Sequence, residues 1–364
     1  MSYSAGFKAP AAESFKFDGR ALYLGNLKPL SRGPMDAAPP PDWPDWPLYG
    51  LQDDIRPAWA QRQAVGEAVA IATLIATDGP SPRPAGAQML IPANGDCVGY
   101  VSGGCVEATV AAIGREVLAS GVPRRLVFGA GSPFFDIQLV CGTRIEVAVE
   151  RAPADCPAVI EALAAWRARR PIVWVSRLDR AGRATAPEAP GAGKAGASPD
   201  RSRFWKRLSP ACRLILVGGD PVALACARLA EALGLEAALI RPKGPDAPPP
   251  GLAGRYLTAG PEAALGAIGL DAWTALVATT HELDLDARAL IPALRSPAFY
   301  VGALGSRRRV EMRREGLAAA GLSPEQIGRL HAPVGLEIGA ATANEIALSI
   351  LAGVVQAWRA RPAG

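Results

Sequence analysis

Residues 209–360 alternate between strand-like and helix-like patterns, and this alternation constrains the fold more than any other feature. RLILVGG, EAALIRP, WTALVATT and AFYVGAL are short apolar runs of strand length. Between and after them, PVALACARLAEALG, LDARALIPAL, SRRRVEMRREGLAAAGL and ANEIALSILAGVVQAWRA carry a helical period. The last places Ile346, Ile350, Leu351, Val354 and Val355 on one face, a core-packing stripe. Such alternation predicts a doubly wound parallel sheet with helices on both faces. In such sheets ligands bind at the carboxyl edge.

Upstream, residues 61–150 predict a small α/β or α+β domain. EAVAIATLIAT is a buried strand, and AGAQMLIPANGDCVGYVSG is two strands about an Asn-Gly turn. CVEATVAAIGREVLASG is a helix stopped by Gly121 and Pro123; RLVFG, DIQLV and RIEVAVE are three further strands. Residues 151–208 connect the halves through a helix (158–169), a strand (IVWVSRLD) and a flexible Gly/Pro/Ala linker at 181–203. Residues 1–60 are rich in proline and tryptophan. They are either an irregular arm that docks Trp43, Trp46 and Trp59 on a protein surface or a poorly ordered extension. The fold class is therefore α/β: a small N-terminal domain and a C-terminal doubly wound sheet (209–364).

A net charge of +5 with 20% charged residues gives no argument for nucleic-acid binding. No apolar run reaches membrane-span length and no secretory leader is visible, so a cytoplasmic location is expected. Six cysteines without a C-x-x-C pair predict reduced thiols, most of them core residues.

In the first half, Ser102-Gly103-Gly104-Cys105-Val106-Glu107 joins a strand to a helix. The glycines allow close backbone approach by a ligand, and Cys105 is expected in the first helical turn. There the helix dipole favours a thiolate able to attack sulfur or sit near a soft metal. Glu107 is either a first-turn capping acid or an acid/base beside the thiol. The bland alternative is a glycine turn with a buried cysteine. Ser81-Pro82-Arg83-Pro84 is a rigid loop presenting one arginine, to an anionic ligand or to solvent. Cys141 is either a second thiol near Cys105 or a buried structural residue.

In the second half, Gly218-Gly219-Asp220-Pro221-Val222-Ala223 stands where a G-x-G-x-x-G/A dinucleotide fingerprint belongs. Asp220 replaces the middle glycine, and Arg241 stands where an acid would hold the ribose. Both argue against ordinary NAD binding, although an arginine there could instead accept a 2′-phosphate or another anion. His281, after WTALVATT, is either a ligand contact or a loop-capping residue. Gly305-Ser306-Arg307 opens a helix with an N-cap hydroxyl and an arginine cluster, a candidate phosphate site that is also read as a solvated basic face. The loop from His331 to Gly339 is expected to line the same crevice.

Several separate motifs, in order, resemble the XdhC/CoxI family of xanthine dehydrogenase accessory proteins. They are ATDGPSPRPAGAQML, SGGCVEATV, CGTRIEVAVE, THELDLDARAL, SPAFYVGALGSRRR and LHAPVGLEIGAATANEIALSILA, covering about residues 61–360. The resemblance implies an XdhC/CoxI-type domain followed by a Rossmann domain. It also implies a non-enzymatic chaperone that binds the molybdenum cofactor, protects it during sulfuration and delivers it to a xanthine dehydrogenase-family molybdoenzyme. The sequence departs from the family in GGDPVA, in Arg241, and in Thr143 as third residue of C-G-T.

The residues assigned to cofactor binding are Arg83, Ser102, Gly103, Gly104, Cys105, Glu107, Cys141, His281, Ser306 and Arg307, with Cys105 nearest molybdenum. A cysteine desulfurase is a candidate partner, and a homodimer is the expected assembly. The alternative function is an NAD(P)-dependent oxidoreductase built on the second half. One further expectation is that a single cofactor bridges Cys105 and Ser306.

Overall fold

The computed structural model describes residues 42–129, 144–178, 182–186 and 193–361. A five-stranded sheet carries the first half. Its strands are β1 (Val69–Asp78), β2 (Gln88–Ile91), β3 (Val98–Gly99), β4 (Arg124–Phe128) and β5 (Arg144–Ala152), in the order β3-β2-β1-β5-β4. Neighbours are antiparallel throughout. Side chains alternate across β1, and both faces are covered. Ala70, Ala72 and Leu74 join the core under α2 (Glu107–Ser120), while Val69 and Ile71 face α1 (Arg56–Ala64) and α3 (Pro157–Arg167). This double burial explains why the strand reads as a continuous apolar run. Gly121, at φ +70, ends α2 in the left-handed conformation that glycine adopts without strain.

The segment expected to be a linker is built differently. β6 (Ile172–Arg177), β7 (Arg183–Ala186), β8 (Ala195–Ala197) and β9 (Arg203–Leu208) form a four-stranded sheet in the order β7-β6-β9-β8. β7 and β8 are short edge strands whose only apolar residues are alanine and glycine, so they carry no hydrophobic period to read. Gly196 is needed there because a Cβ would meet the Trp205 ring at 2.8 Å.

The C-terminal half is a six-stranded parallel sheet, β12-β11-β10-β13-β14-β15. Its strands are β10 (Arg213–Val217), β11 (Glu236–Ile240), β12 (Arg255–Leu257), β13 (Thr274–Ala278), β14 (Tyr300–Ala303) and β15 (Leu330–His331). The helices are α4 (Pro221–Ala232), α5 (Pro261–Ile268), α6 (Leu283–Arg295), α7 (Arg307–Ala319), α8 (Pro324–Gly328) and α9 (Ala343–Ala360). Leu214 and Leu216 pack with α4 and α9; Ile215 and Val217 pack with α5 and α6. The doubly wound sheet expected from the alternation is what forms. Strand order reverses between β10 and β13, which places the crevice outside their carboxyl ends.

The halves meet at the opposite end. Arg169, just after α3, donates to Asp271 at 2.7 Å, to Glu236 at 2.5 Å and to the Ala211 carbonyl at 3.1 Å. Glu236 opens β11 and Asp271 precedes β13, so this junction grips the amino edge of the parallel sheet. Of the three tryptophans in the N-terminal arm, Trp59 is buried edge-on against Trp174 and Trp43 packs on Tyr49, while Trp46 stays exposed.

Candidate functional site

The turn before α2 is shaped by one carboxylate. Glu107 is fully buried and folds back onto the loop. Its Oε1 accepts from the N–H groups of Val101 at 3.1 Å and Ser102 at 2.7 Å; its Oε2 accepts from the Ser102 hydroxyl at 2.8 Å and the Val106 N–H at 3.2 Å. With three backbone N–H groups and one hydroxyl converging on it, Glu107 fixes the turn. Ser102 and Glu107 therefore point inward and brace the loop; they are not presented to a ligand. What reaches the surface is Gly103, Gly104 and Cys105. Gly104, at φ +103, has nothing within 4 Å of where a Cβ would stand.

Cys105 lies outside the expected helical turn, one residue before the Val106 N-cap and two before the first helical residue of α2. Its thiol is exposed, whereas Cys97, Cys212 and Cys226 are buried. Burial pushes those three thiols up to about 12, which fits core residues. Cys141 and its C-G-T motif lie outside the described residues.

The Arg83 loop converges on this turn, since a Cβ on Gly103 would stand 3.6 Å from Pro82 Cγ. Arg83 lies over the Tyr100 ring at 4.1 Å and donates to its hydroxyl at 3.3 Å. Its Nη2 pairs with Asp53 at 2.8 Å, and its buried Nε has no partner. Arg83 is thus not a free surface arginine: Tyr100 and Asp53, in the segment before α1, hold it in place.

Sequence reasoning missed four neighbours of this site. Asp53 and Tyr100 carry no motif. Tyr49 is one: burial, then the nearby Glu107, Cys97 and Cys105, push its phenol up to about 12. Lys206 on β9 is another, donating to Gln88 at 2.7 Å. Burial and the neighbouring Arg56 bring its ammonium down to about 8. Lys206 follows a Gly/Pro/Ala-rich stretch without hydrophobic period, which hides β9 in the sequence. Bare glycine backbone and an exposed thiol form the open side of this turn, with the Arg83 guanidinium behind it.

At the carboxyl edge of the parallel sheet, His281, Ser306 and Arg307 are exposed. Ser306 takes the N-cap position of α7, but its side chain makes no cap bond. Asp220 caps α4 by accepting from the Ala223 N–H at 2.8 Å. A dinucleotide pyrophosphate would need that same helix end. Arg241 covers the turn as well, its Nε standing 2.5 Å from a Cβ position on Gly219. His331 stacks on Tyr300 at 4.2 Å and lines a groove against α9 with Gln356.

Among the described residues, no hydrogen bond or ion pair brings Ser306 or Arg307 to the Cys105 turn. The Arg169 junction holds the opposite edge of the sheet. The described residues hold no cluster of three or more metal-ligating side chains and no helix long and apolar enough to cross a membrane.

Comparison with known proteins adds the following. Residues 62–129 match the model of the XdhC and CoxI family, and residues 214–354 match that of the XdhC Rossmann domain. The molybdenum cofactor insertion chaperone PaoD of Escherichia coli (strain K12) is 31% identical over 296 residues, 79% of this chain and 83% of that protein. A protein of Bacillus subtilis (strain 168), named as a probable xanthine dehydrogenase subunit, is 26% identical over 324 residues, covering 80% and 93%. A crystal structure described as a xanthine dehydrogenase from Bacillus halodurans superposes with a TM-score of 0.66 at 24% identity, over 85% of this chain and 96% of that one, a likeness of fold.

Proposed function

Since the chain belongs to the XdhC and CoxI family, we propose that it is a molybdenum cofactor insertion chaperone. In this reading it holds the cofactor as cargo, shields it during sulfuration and hands it to a xanthine dehydrogenase-type molybdoenzyme. The observation that carries the reading is the exposed Cys105 thiol on a bare glycine turn, beside an arginine with an unpartnered nitrogen.

Each residue then has a separate task. Cys105 supplies a soft sulfur ligand near the metal end of the cargo. Gly103 and Gly104 let the cargo reach the backbone, because no side chain stands in the way. Arg83 offers charge-assisted hydrogen bonds to an anionic group once Asp53 has moved off it. Ser102 and Glu107 keep the turn in place without touching the cargo. The Asp220 cap and the covering Arg241 weigh against a nicotinamide-dependent oxidoreductase.

The test is purification from a host that makes the cofactor, followed by molybdenum analysis. Wild type should retain molybdenum and activate the partner enzyme. Cys105→Ala should lose most of both while its circular dichroism and melting temperature stay unchanged. Equal molybdenum content and equal activation in the two proteins would remove Cys105 from the function.

A further inference from the structure

Below the carboxyl edge, the loops after β13 and β14 are tied together. Asp286 on α6 is fully buried, and Arg313 on α7 is 4% exposed. Arg313 donates from Nε at 2.8 Å and from Nη2 at 2.5 Å to one Asp286 oxygen. The other oxygen accepts from the Thr280 hydroxyl at 2.7 Å, just past the end of β13. One buried charge pair therefore fixes the end of β13, the start of α6 and the first half of α7. Such pairs add little net stability over apolar packing, but a broken one is costly, so the arrangement is held rigidly.

One donor in this network has no acceptor. Arg313 Nη1 is buried and makes no hydrogen bond. An unpaired buried donor loses its hydrogen bond to water without gaining another, so its persistence calls for a reason. The nitrogen sits against Gly305, where a Cβ would stand 2.8 Å from it. The bare Cα of Gly305, at φ +154, is what lets Nη1 come up to the turn. The next residue, Ser306, leaves the first turn of α7 without a side-chain cap. Arg307 and Arg308 stand exposed at the same helix start, and neither is in an ion pair among the described residues.

We propose that the Gly305–Ser306 turn binds a phosphoryl group. The first-turn N–H groups of α7 and the Arg307 and Arg308 side chains hold it, with the Arg313 guanidinium as the buried donor beneath. A phosphomonoester or diphosphate suits the place because its several oxygens can accept from several N–H groups at once. The phosphate end of a pterin cofactor and a nucleotide share this chemistry. The inference goes beyond the chaperone reading and does not rest on it: that reading concerns the Cys105 turn and is tested by molybdenum content.

The experiment is calorimetric titration of the full chain with inorganic pyrophosphate at low salt, repeated with a nucleoside 5′-monophosphate. Wild type should bind pyrophosphate at one site. The exposed pair variant Arg307→Ala/Arg308→Ala should bind at least tenfold more weakly with an unchanged melting temperature. Arg313→Lys keeps a charge for Asp286 but loses Nη1, and should also bind at least tenfold more weakly. Gly305→Ala presses a methyl onto Nη1 and should lose binding, with its ligand-free melt separating loss of site from loss of fold. A monophosphate that binds tighter than pyrophosphate supports the site with a nucleotide as its source. Equal binding supports it with a bare phosphate end. Absence of binding by wild type, or unchanged affinity in the exposed pair variant, overturns the proposal.

Discussion

Arg169 Nε donates to Asp271 Oδ2 at 2.7 Å, and this bond holds the turn after α3 to the amino edge of the parallel sheet. Burial pulls the Asp271 carboxyl up, but the Arg169 and Thr274 hydrogen bonds outweigh it and leave it below its ordinary value. A depressed carboxyl contributes stability that is present above its unfolded value near 4 and lost as pH falls through the folded value. Arg169→Ala should therefore cost about 1–3 kcal/mol at neutral pH. Urea melts at pH 7 and pH 3 check this: the gap between wild type and variant should shrink at the lower pH. A gap that stays constant with pH would remove the Asp271 contact from the account.

The turn that presents Cys105 depends on Glu107. Glu107→Gln keeps the shape but puts an amide where a carboxylate accepts several N–H and O–H donors. At least one donor must then face another donor, at a cost of roughly 2–4 kcal/mol. The denaturant midpoint should fall accordingly. Native alkylation followed by peptide mass spectrometry gives a second readout. In wild type, Cys105 should react at least a hundredfold faster than Cys97, Cys212 and Cys226, whose thiols are buried. In Glu107→Gln that selectivity should narrow.

The parallel sheet was legible because each of its central strands is a continuous apolar run between amphipathic helices. The order of motifs gave the family and the Cys105 turn. Two kinds of feature were hidden. Edge strands such as β7 and β8 have only alanine and glycine as apolar residues and so no period. The direction of a side chain is also absent from spacing: Ser102 and Glu107 lie in the motif with Cys105, yet they turn inward to brace it. Cys105 stands two residues before the first helical residue, because α2 starts at Glu107 with Val106 as its N-cap. Lys206 and Asp53 lie far from the motif in sequence and reach the site only through tertiary packing.

Lys206 should leave a signature in alkaline stability. Its folded value of about 8 lies below the ordinary lysine value near 10.4, with burial the first cause and Arg56 the second. Between those values the unfolded chain binds more protons than the folded one, so stability should rise with pH across roughly 8 to 10. Lys206→Met removes the charge and keeps an aliphatic chain of similar length. It should flatten this rise and stabilise the protein near pH 7 by up to ~3 kcal/mol. Guanidinium melts of both proteins at pH 7, 8.5 and 10 decide it. An identical slope in the two would show that some other group is responsible.

Asp53 should act as a removable counter-ion for Arg83. The pair is 2.8 Å long, but the Asp53 side chain is 56% exposed while that of Arg83 is 15% exposed. An ion pair with one partner this open to solvent contributes at most about 1 kcal/mol. An incoming anion can therefore displace Asp53 at small cost, and Arg83 stays in place because the Tyr100 ring supports it. Asp53→Asn removes the competing charge without removing the side chain. In the chaperone reading it should raise molybdenum retention severalfold at low salt, with a smaller gain at high salt as screening weakens the original pair. Arg83→Ala should lower retention in the same assay, and the double variant should behave like Arg83→Ala alone. If Asp53→Asn still raised retention in a background lacking Arg83, the aspartate would be acting on some other group and its role as the counter-ion of Arg83 would fall.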